Sequence, residues 1–149
     1  MPEEKHPAVS VIVPFYNAQE SVAAIVGALQ VQTCTDFEAL LVDDGSTDNT
    51  LIYLNAAVLG DDRFRVLTQE NAGPGVARNA GIDAATGDYI TFMDCDDTPD
   101  MRELEIALAA IRKADADIAI WQSRQYDNRN GRTNLSHDRW EARAWPEEL

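Results

Sequence analysis

Short apolar runs alternate with amphipathic stretches along most of the chain. The runs are rich in β-branched and aromatic residues, and proline or acidic residues follow three of them, which is typical of buried strands. They predict strands at Val9–Val13, Phe37–Val42, Arg63–Thr68 and Asp88–Met93, and a fifth, weaker strand at Asp117–Trp121.

The stretches between these runs predict helices. Apolar residues recur at helical spacing in the first stretch, and N-cap residues precede the second. A glycine ends the third, and a proline lies just inside the start of the fourth. The predicted helices are Gln19–Gln32, Thr50–Val58, Val76–Ala85 and Thr98–Ala114.

This alternation predicts parallel βαβ units in a three-layer α/β/α sandwich with a mainly parallel sheet. In such a sheet the ligand crevice lies at the carboxyl ends of the strands. We therefore expect the polar residues that follow three of the strands to meet at one edge. They are Tyr16 and Asn17, Asp43 and Asp44, and Asp94, Asp96 and Asp97.

Charge narrows the range of ligands. The 149 residues, enough for about one domain, include 26 acidic and 12 basic side chains, for a net charge of −14. Such a field repels nucleic acid, so nucleic-acid binding is not expected. An anionic ligand would need a cation to mediate its binding. Cys34 and Cys95 lack metal-ligand spacing, and Cys95 is predicted to be a small apolar residue rather than a nucleophile.

The acidic clusters allow two interpretations each. Asp94 and Asp96, two residues apart at a strand end, suit a hard cation such as Mg²⁺ or Mn²⁺, or they belong to a solvated loop that caps the next helix. Asp43 and Asp44 either form a capping turn or accept a hydrogen bond from a base or ribose. Arg78 is either an ion-pair partner or a nucleotide contact. It also stands where a dinucleotide fingerprint requires glycine, and no P-loop is present.

Four blocks in order resemble the nucleotide-sugar-binding half of family 2 glycosyltransferases, which have the GT-A fold. They are VSVIVPFYN, LLVDDGSTD, NAGPGVARNAG and FMDCDD, and the resemblance covers about Ala8–Trp121. It implies transfer of a sugar from a nucleotide-diphosphate donor, with UDP as the expected nucleotide, to an acceptor hydroxyl with inversion. The acceptor would be a saccharide or a lipid-linked group.

The resemblance also implies site residues. Pro14, Tyr16, Asn17 and Glu20 match the block around the nucleoside. Asp44, or alternatively Asp43, matches the carboxylate that faces the base. The segment that closes over the base contributes Arg78 and Asn79. Asp94 and Asp96 match the DxD motif that binds Mn²⁺ or Mg²⁺ with the diphosphate, and Asp96 is the expected direct ligand.

The end of the chain departs from the family pattern. We expect a donor domain over 1–125 and a polar segment over 126–149, the start of a truncated acceptor half. Family members continue into that half, which supplies an acidic general base. The acidic residues after Trp121 match no motif for that base: Asp138, Glu141, Glu147 and Glu148. The alternative function is therefore a donor-binding fragment without turnover.

Other function classes fit less well. Asp94–Thr98 matches the DxDxT motif of haloacid-dehalogenase phosphatases, but Lys113 is the only later lysine and no Asp-Asp pair follows. A receiver domain would carry the acidic pair after its first strand, and here it follows the second. No basic and apolar leader begins the chain and no apolar run approaches about 18 residues. We expect a cytoplasmic protein, or one peripheral to the inner membrane face if the chain is part of a longer enzyme.

Overall fold

The computed structural model describes residues 6–121 and three short strands at 124–127, 132–135 and 141–143. It divides into two compact units, Met1–Arg102 and Glu103–Leu149. The predicted domain boundary after residue 125 stays a prediction. In chain order the elements are β1 (Val9–Phe15), α1 (Val22–Gln30), β2 (Phe37–Asp43), α2 (Thr50–Ala57), β3 (Phe64–Thr68), α3 (Pro74–Ala84), β4 (Tyr89–Phe92), α4 (Glu103–Ala114), β5 (Ile118–Ile120), β6 (Arg124–Asp127), β7 (Arg132–Leu135) and β8 (Glu141–Arg143).

The first unit is built on a parallel sheet with the strand order β3-β2-β1-β4. Val9 pairs with Phe37 on one side of β1 and with Tyr89 on the other. Every residue of β1 and β2 is buried, which parallel strands require because helices cover both of their faces. The prediction of an α/β fold with a mainly parallel sheet is confirmed.

The two faces of this sheet carry different helices. Ile12, Leu40 and Val42 form one core cluster with Ala77 of α3. Gly81 lies so close to Ile12 that an added Cβ would overlap its side chain. Residues of the opposite parity, such as Val13 and Leu41, are fully buried on the other face. Right-handed crossovers place α1 and α2 on that side, because β2 and β3 lie to one side of β1 and β4 lies to the other.

The amino-terminal edge of the sheet contains a buried polar network around Glu38. Its Oε1 accepts bonds from the Ser10 hydroxyl (2.7 Å) and the Thr86 N–H (2.6 Å), and its Oε2 accepts one from Arg65 (3.3 Å). Burial raises the pKa of Glu38, but these hydrogen bonds outweigh burial and lower it. The network ties the turn before β4 to β1 and β2, at the edge opposite the predicted crevice.

The strands β6, β7 and β8 were not predicted from the polar sequence after β5. Two predicted elements also differ from the structure in their extent or pairing. The fourth helix begins at Glu103 rather than Thr98, because the preceding carbonyls bond elsewhere: Asp100 O accepts from the Gln32 amide (2.7 Å) and Met101 O from the Thr33 N–H (2.8 Å). The fifth strand does not extend the parallel ladder, since β5 pairs antiparallel with β8. Ile118 and Ile120 are exposed, so β5 lacks the fully buried run that a central parallel strand needs.

Candidate functional site

A crevice of about 700 Å³ opens at the carboxyl ends of β1, β2 and β4. It lies where the chain order of the strands reverses, between β1 and β4, which is the general position of ligand sites in open parallel sheets. All three of the predicted polar segments contribute residues to it. The lining residues are Pro14, Phe15, Tyr16, Asn17, Ala18, Gln19, Glu20, Ser21, Asp44, Asp48, Pro74, Arg78, Asp94, Cys95 and Asp96.

The loop after β1 is attached to the loop after β2 by a pair of reciprocal bonds. Asn17 has a positive φ of 48°, a conformation that asparagine adopts more readily than most residues. Its N–H donates to the Ser46 hydroxyl (2.9 Å), and its side-chain oxygen accepts from the Thr47 N–H (2.8 Å). Asn17 therefore shapes the floor of the crevice, and its amide oxygen is already engaged.

A second set of bonds extends this attachment toward α1. Asp48 accepts from the Thr50 N–H (2.9 Å) and from the Gln19 N–H (3.3 Å), and the Ala18 N–H donates to the Thr50 hydroxyl (2.9 Å). The pKa of Asp48 is lowered, chiefly by the hydrogen bond from the Thr50 side chain. Asp48 lines the crevice but was absent from the sequence prediction. The sequence Asp-Asn-Thr at the start of α2 is an ordinary capping pattern, so it did not indicate a place in the crevice.

Asp44 is a buried carboxylate that organises the loop before α3. Its Oδ1 accepts from the Gln69 amide (2.7 Å) and the Ala72 N–H (2.9 Å), and its Oδ2 accepts from the Gly73 N–H (2.8 Å). Burial raises its pKa, but these donors outweigh burial and lower it, so Asp44 is ionised at neutral pH. Because a carboxylate oxygen accepts two bonds, Oδ2 retains capacity for one more donor from the crevice.

Gly45 is needed for this arrangement. Its φ is +69°, and an added Cβ would lie 2.7 Å from the Asn71 nitrogen. The Asn71 amide in turn donates to the Asp44 carbonyl (3.1 Å). Only glycine combines the left-handed conformation with so close an approach between the two loops.

Asp43 and Asp44 lie on opposite sides of β2. Asp43 shares the parity of Leu41, and Asp44 shares that of Val42, which faces α3. Asp43 Oδ2 accepts from the Ser46 N–H (3.3 Å), while its buried Oδ1 has no hydrogen-bond partner among the described residues. Of the two, only Asp44 lines the crevice.

The third segment brings the acidic cluster after β4 to the crevice. Arg78 of α3 pairs with Asp94 Oδ1 at 2.5 Å, and the Asp94 N–H donates to Asp97 Oδ2 at 2.8 Å. Asp96 is exposed and lines the opening. Burial raises the pKa of the Cys95 thiol, and the neighbouring carboxylates raise it further. A raised pKa opposes thiolate formation, in agreement with a non-nucleophilic Cys95.

The donor set suits a cation that shares its ligands with a substrate. No group of three acidic, histidine or cysteine side chains that could hold a metal ion occurs among the described residues. Mg²⁺ and Mn²⁺ sites for phosphate chemistry use one or two carboxylates, with phosphate oxygens and water completing the shell. Asp94 and Asp96, both exposed at the crevice, fit that chemistry.

The structure gathers most of the predicted residues at this crevice. Pro14 is buried in its floor, and Tyr16 and Glu20 are exposed at its wall. Asn79 is exposed on α3 and does not line the crevice, so its role stays a prediction. Among the acidic residues considered for the base, Glu141 is described only as part of β8. Asp138, Glu147 and Glu148 lie outside the described residues.

The sequence profile of glycosyl transferase family 2 matches residues 10–148. The chain belongs to this family. Glycosyltransferase GlyG of Streptococcus pneumoniae is 40% identical over 124 residues, which are 83% of this chain and 41% of the relative. The uncharacterized glycosyltransferase YibD of Escherichia coli is 40% identical over 112 residues, 74% of this chain and 32% of the relative. The chain thus spans less than half the length of these relatives.

Solved glycosyltransferases share the fold. TarS of S. aureus, solved with UDP, superposes with a TM-score of 0.68 at 34% identity over 73% of this chain and 33% of TarS. The mannosyltransferase PcManGT of Pyrobaculum calidifontis, solved with GDP-Man and Mn²⁺, gives a TM-score of 0.57 at 26% identity over 62% of this chain and 28% of PcManGT. The GT-A expectation is confirmed, and neither a phosphatase nor a receiver domain is favoured. Across the described residues, no helix is long and apolar enough to cross a membrane.

Proposed function

We propose that this chain is the donor-binding part of a glycosyltransferase that transfers a sugar from a UDP-sugar to an acceptor hydroxyl with inversion. The observation that carries the proposal is the crevice itself. It places a fixed acceptor, Asp44, and an acidic pair suited to a cation, Asp94 and Asp96, on one opening of a family 2 fold. TarS has been solved with both UDP and UDP-GlcNAc, which supports uridine as the nucleoside.

In this proposal Asp44 recognises the base of the nucleotide through a hydrogen bond. Uracil presents an N3–H donor, and the free capacity of Asp44 Oδ2 would accept it, while cytosine presents an acceptor at the same atom. The exposed ring of Tyr16 and the amide of Asn17 would flank the nucleoside, together with Pro14, Glu20, Arg78 and Asn79. Asp43 would support this loop from the other side of β2.

The acidic residues after β4 would hold the diphosphate through a cation. A bound Mn²⁺ or Mg²⁺ would stabilise the negative charge that develops on the leaving diphosphate. Asp94 and Asp96 would supply its carboxylate ligands. Among the described residues, five carboxylates line the crevice beside a single basic residue, so these side chains alone repel a diphosphate.

None of the residues assigned so far would activate the acceptor. An inverting displacement needs a general base, and no described residue is assigned to it. We propose a saccharide or a lipid-linked hydroxyl as the acceptor. We also propose that the enzyme acts in the cytoplasm or at the inner membrane face.

Base recognition is tested by comparing UDP, CDP and GDP with Mn²⁺ present, using titration calorimetry. UDP and CDP share the ribose and the diphosphate, and they differ at the atom that Asp44 would contact. A hydrogen bond to a charged group contributes about 1.5–3 kcal/mol, so we expect UDP to bind about ten-fold or more tighter than CDP. Asp44→Asn should narrow that gap, because an amide can also donate to cytosine. Equal affinities of the parent for UDP and CDP would contradict the assignment.

Turnover is tested by UDP release from a panel of UDP-sugars, with and without saccharide acceptors. We expect residues 1–149 to bind donor yet to transfer little or no sugar, because general-base assistance alone contributes about 10²–10⁴-fold. Any slow hydrolysis should be lost in Asp96→Asn and retained in Asp83→Asn, a matched change on an exposed residue of α3. Robust acceptor-dependent turnover would show that this piece carries its own base.

A further inference from the structure

The crevice neutralises part of its own charge with one arginine. Glu20, Asp44, Asp48, Asp94 and Asp96 line it, and Arg78 is the only basic residue among the described lining residues. Arg78 pairs with Asp94 rather than with a residue of its own helix. Arg78 therefore forms its ion pair with one of the two carboxylates that we assign to the cation.

Arg78 and a divalent ion would compete for the same carboxylate. The guanidinium nitrogen lies 2.5 Å from Asp94 Oδ1, so an ion bound to Asp94 would stand close to a second positive charge. The Arg78 and Asp94 side chains are 33% and 58% exposed, which makes this pair weak and easily exchanged. An anionic nucleotide in the crevice would offer Arg78 an alternative partner of the sign that it requires.

We propose that Arg78 is an exchangeable counter-ion, which occupies Asp94 in the empty crevice and transfers its interaction to the nucleotide when the donor binds. This inference rests on the proposed function. Its consequence is positive coupling: the ion binds weakly alone, and nucleotide binding releases Asp94 to it. By linkage the same factor raises nucleotide affinity when the ion is present.

A purely structural ion pair would behave differently. If Arg78 served only to fix the loop after β4, its removal would leave Asp94 misplaced, and Mn²⁺ alone would bind more weakly or unchanged. If Arg78 competes with the ion, its removal strengthens the binding of Mn²⁺ alone and weakens the binding of nucleotide. Competition thus predicts that removing Arg78 raises the affinity for Mn²⁺ alone, whereas a structural role predicts that this affinity falls or stays unchanged.

The test measures Mn²⁺ binding to the whole chain by titration calorimetry, first without nucleotide and then with saturating UDP. An exposed ion pair of this kind corresponds to about a two- to five-fold effect, so Arg78→Gln should bind Mn²⁺ alone about two- to five-fold more tightly. The strengthening of Mn²⁺ binding by UDP should be smaller in the variant than in the parent. Arg63→Gln is the matched control, since it removes the same charge from an Arg–Asp pair that does not line the crevice.

Unchanged or weaker Mn²⁺ binding in Arg78→Gln would overturn the inference, and so would an equal gain in Arg63→Gln. A second readout uses the parent protein, so it does not depend on the stability of a variant. The Arg78 Nε–H resonance should shift when UDP and Mg²⁺ are added together, and an unshifted resonance would also overturn the inference. Failure of UDP to bind the parent would instead overturn the proposed function, and the comparison with Mn²⁺ alone would still test the competition.

Discussion

Replacing Asp44 by asparagine should destabilise the protein as well as weaken UDP binding. Asp44 is 2% exposed, and its carboxylate accepts bonds from Gln69, Ala72 and Gly73. An asparagine has one oxygen, so its amide must turn a donor toward at least one of these donors. Losing one hydrogen bond to a charged group costs about 1.5–3 kcal/mol, and we expect a loss of about 2 kcal/mol in the free energy of unfolding.

The effect has a defined pH dependence. The folded-state pKa of Asp44 is lowered, so its ionised form contributes stability that is present above the unfolded pKa, about 3.9. That stability is lost as the pH falls through the folded-state pKa. The difference between the parent and Asp44→Asn should be constant from about pH 8 to pH 5 and shrink below about pH 4.

Urea unfolding at a series of pH values measures this difference. Gln69→Leu is the matched comparison, because it removes one donor while keeping the carboxylate and both backbone donors. It should cost less UDP affinity than Asp44→Asn. A difference in unfolding free energy that did not change with pH would refute the reasoning, as would an Asp44→Asn variant as stable as the parent at pH 7.

Two further changes test other parts of the account. Glu38→Gln should lower the free energy of unfolding, measured with urea, by about 2 kcal/mol. It should leave UDP affinity unchanged, because the Glu38 network lies at the edge opposite the crevice. A loss of UDP affinity would contradict this separation. Gly45→Ala should cost more stability than Gly60→Ala, and only Gly45→Ala should weaken UDP binding. Both glycines have positive φ, but a Cβ meets the Asn71 nitrogen only at Gly45, and calorimetric melting with UDP titration checks the difference.

The sequence was sufficient for the order of the elements from β1 to α4 and for the sheet edge at which the crevice lies, but it did not predict β6, β7 or β8. Strand ends carry this information locally, since a buried run followed by polar residues marks the carboxyl end of a parallel strand. The family resemblance places Asp44 ahead of Asp43, but the residues alone do not decide between them, because the choice depends on which face of β2 meets α3. Leu40 and Val42 of β2 pack against Ile12 and Ala77, and Asp44 has the same parity as these two residues. Asp44 therefore lies on the side that lines the crevice.

Long-range bonds account for what sequence reasoning missed. Asp44 bonds to residues 28 and 29 positions later, and no local pattern indicates those partners. Asp48 resembles an ordinary helix cap, yet its bond to the Gln19 N–H places it at the crevice. The alternation of strands and helices predicts a parallel fifth strand over Asp117–Trp121, and this short run gives no sign of its antiparallel partner β8.

The central claim is that the crevice binds a nucleotide diphosphate through a cation at Asp94 and Asp96. The most direct measurement is the affinity for UDP by titration calorimetry in Mn²⁺ and in EDTA, for the parent, Asp96→Asn and the matched Asp83→Asn. We expect Mn²⁺ to tighten UDP binding about ten-fold or more in the parent and in Asp83→Asn, since each ten-fold change corresponds to about 1.4 kcal/mol. Asp96→Asn should lose most of this gain. Equal UDP affinity in Mn²⁺ and EDTA, or an undiminished gain in Asp96→Asn, would contradict the account.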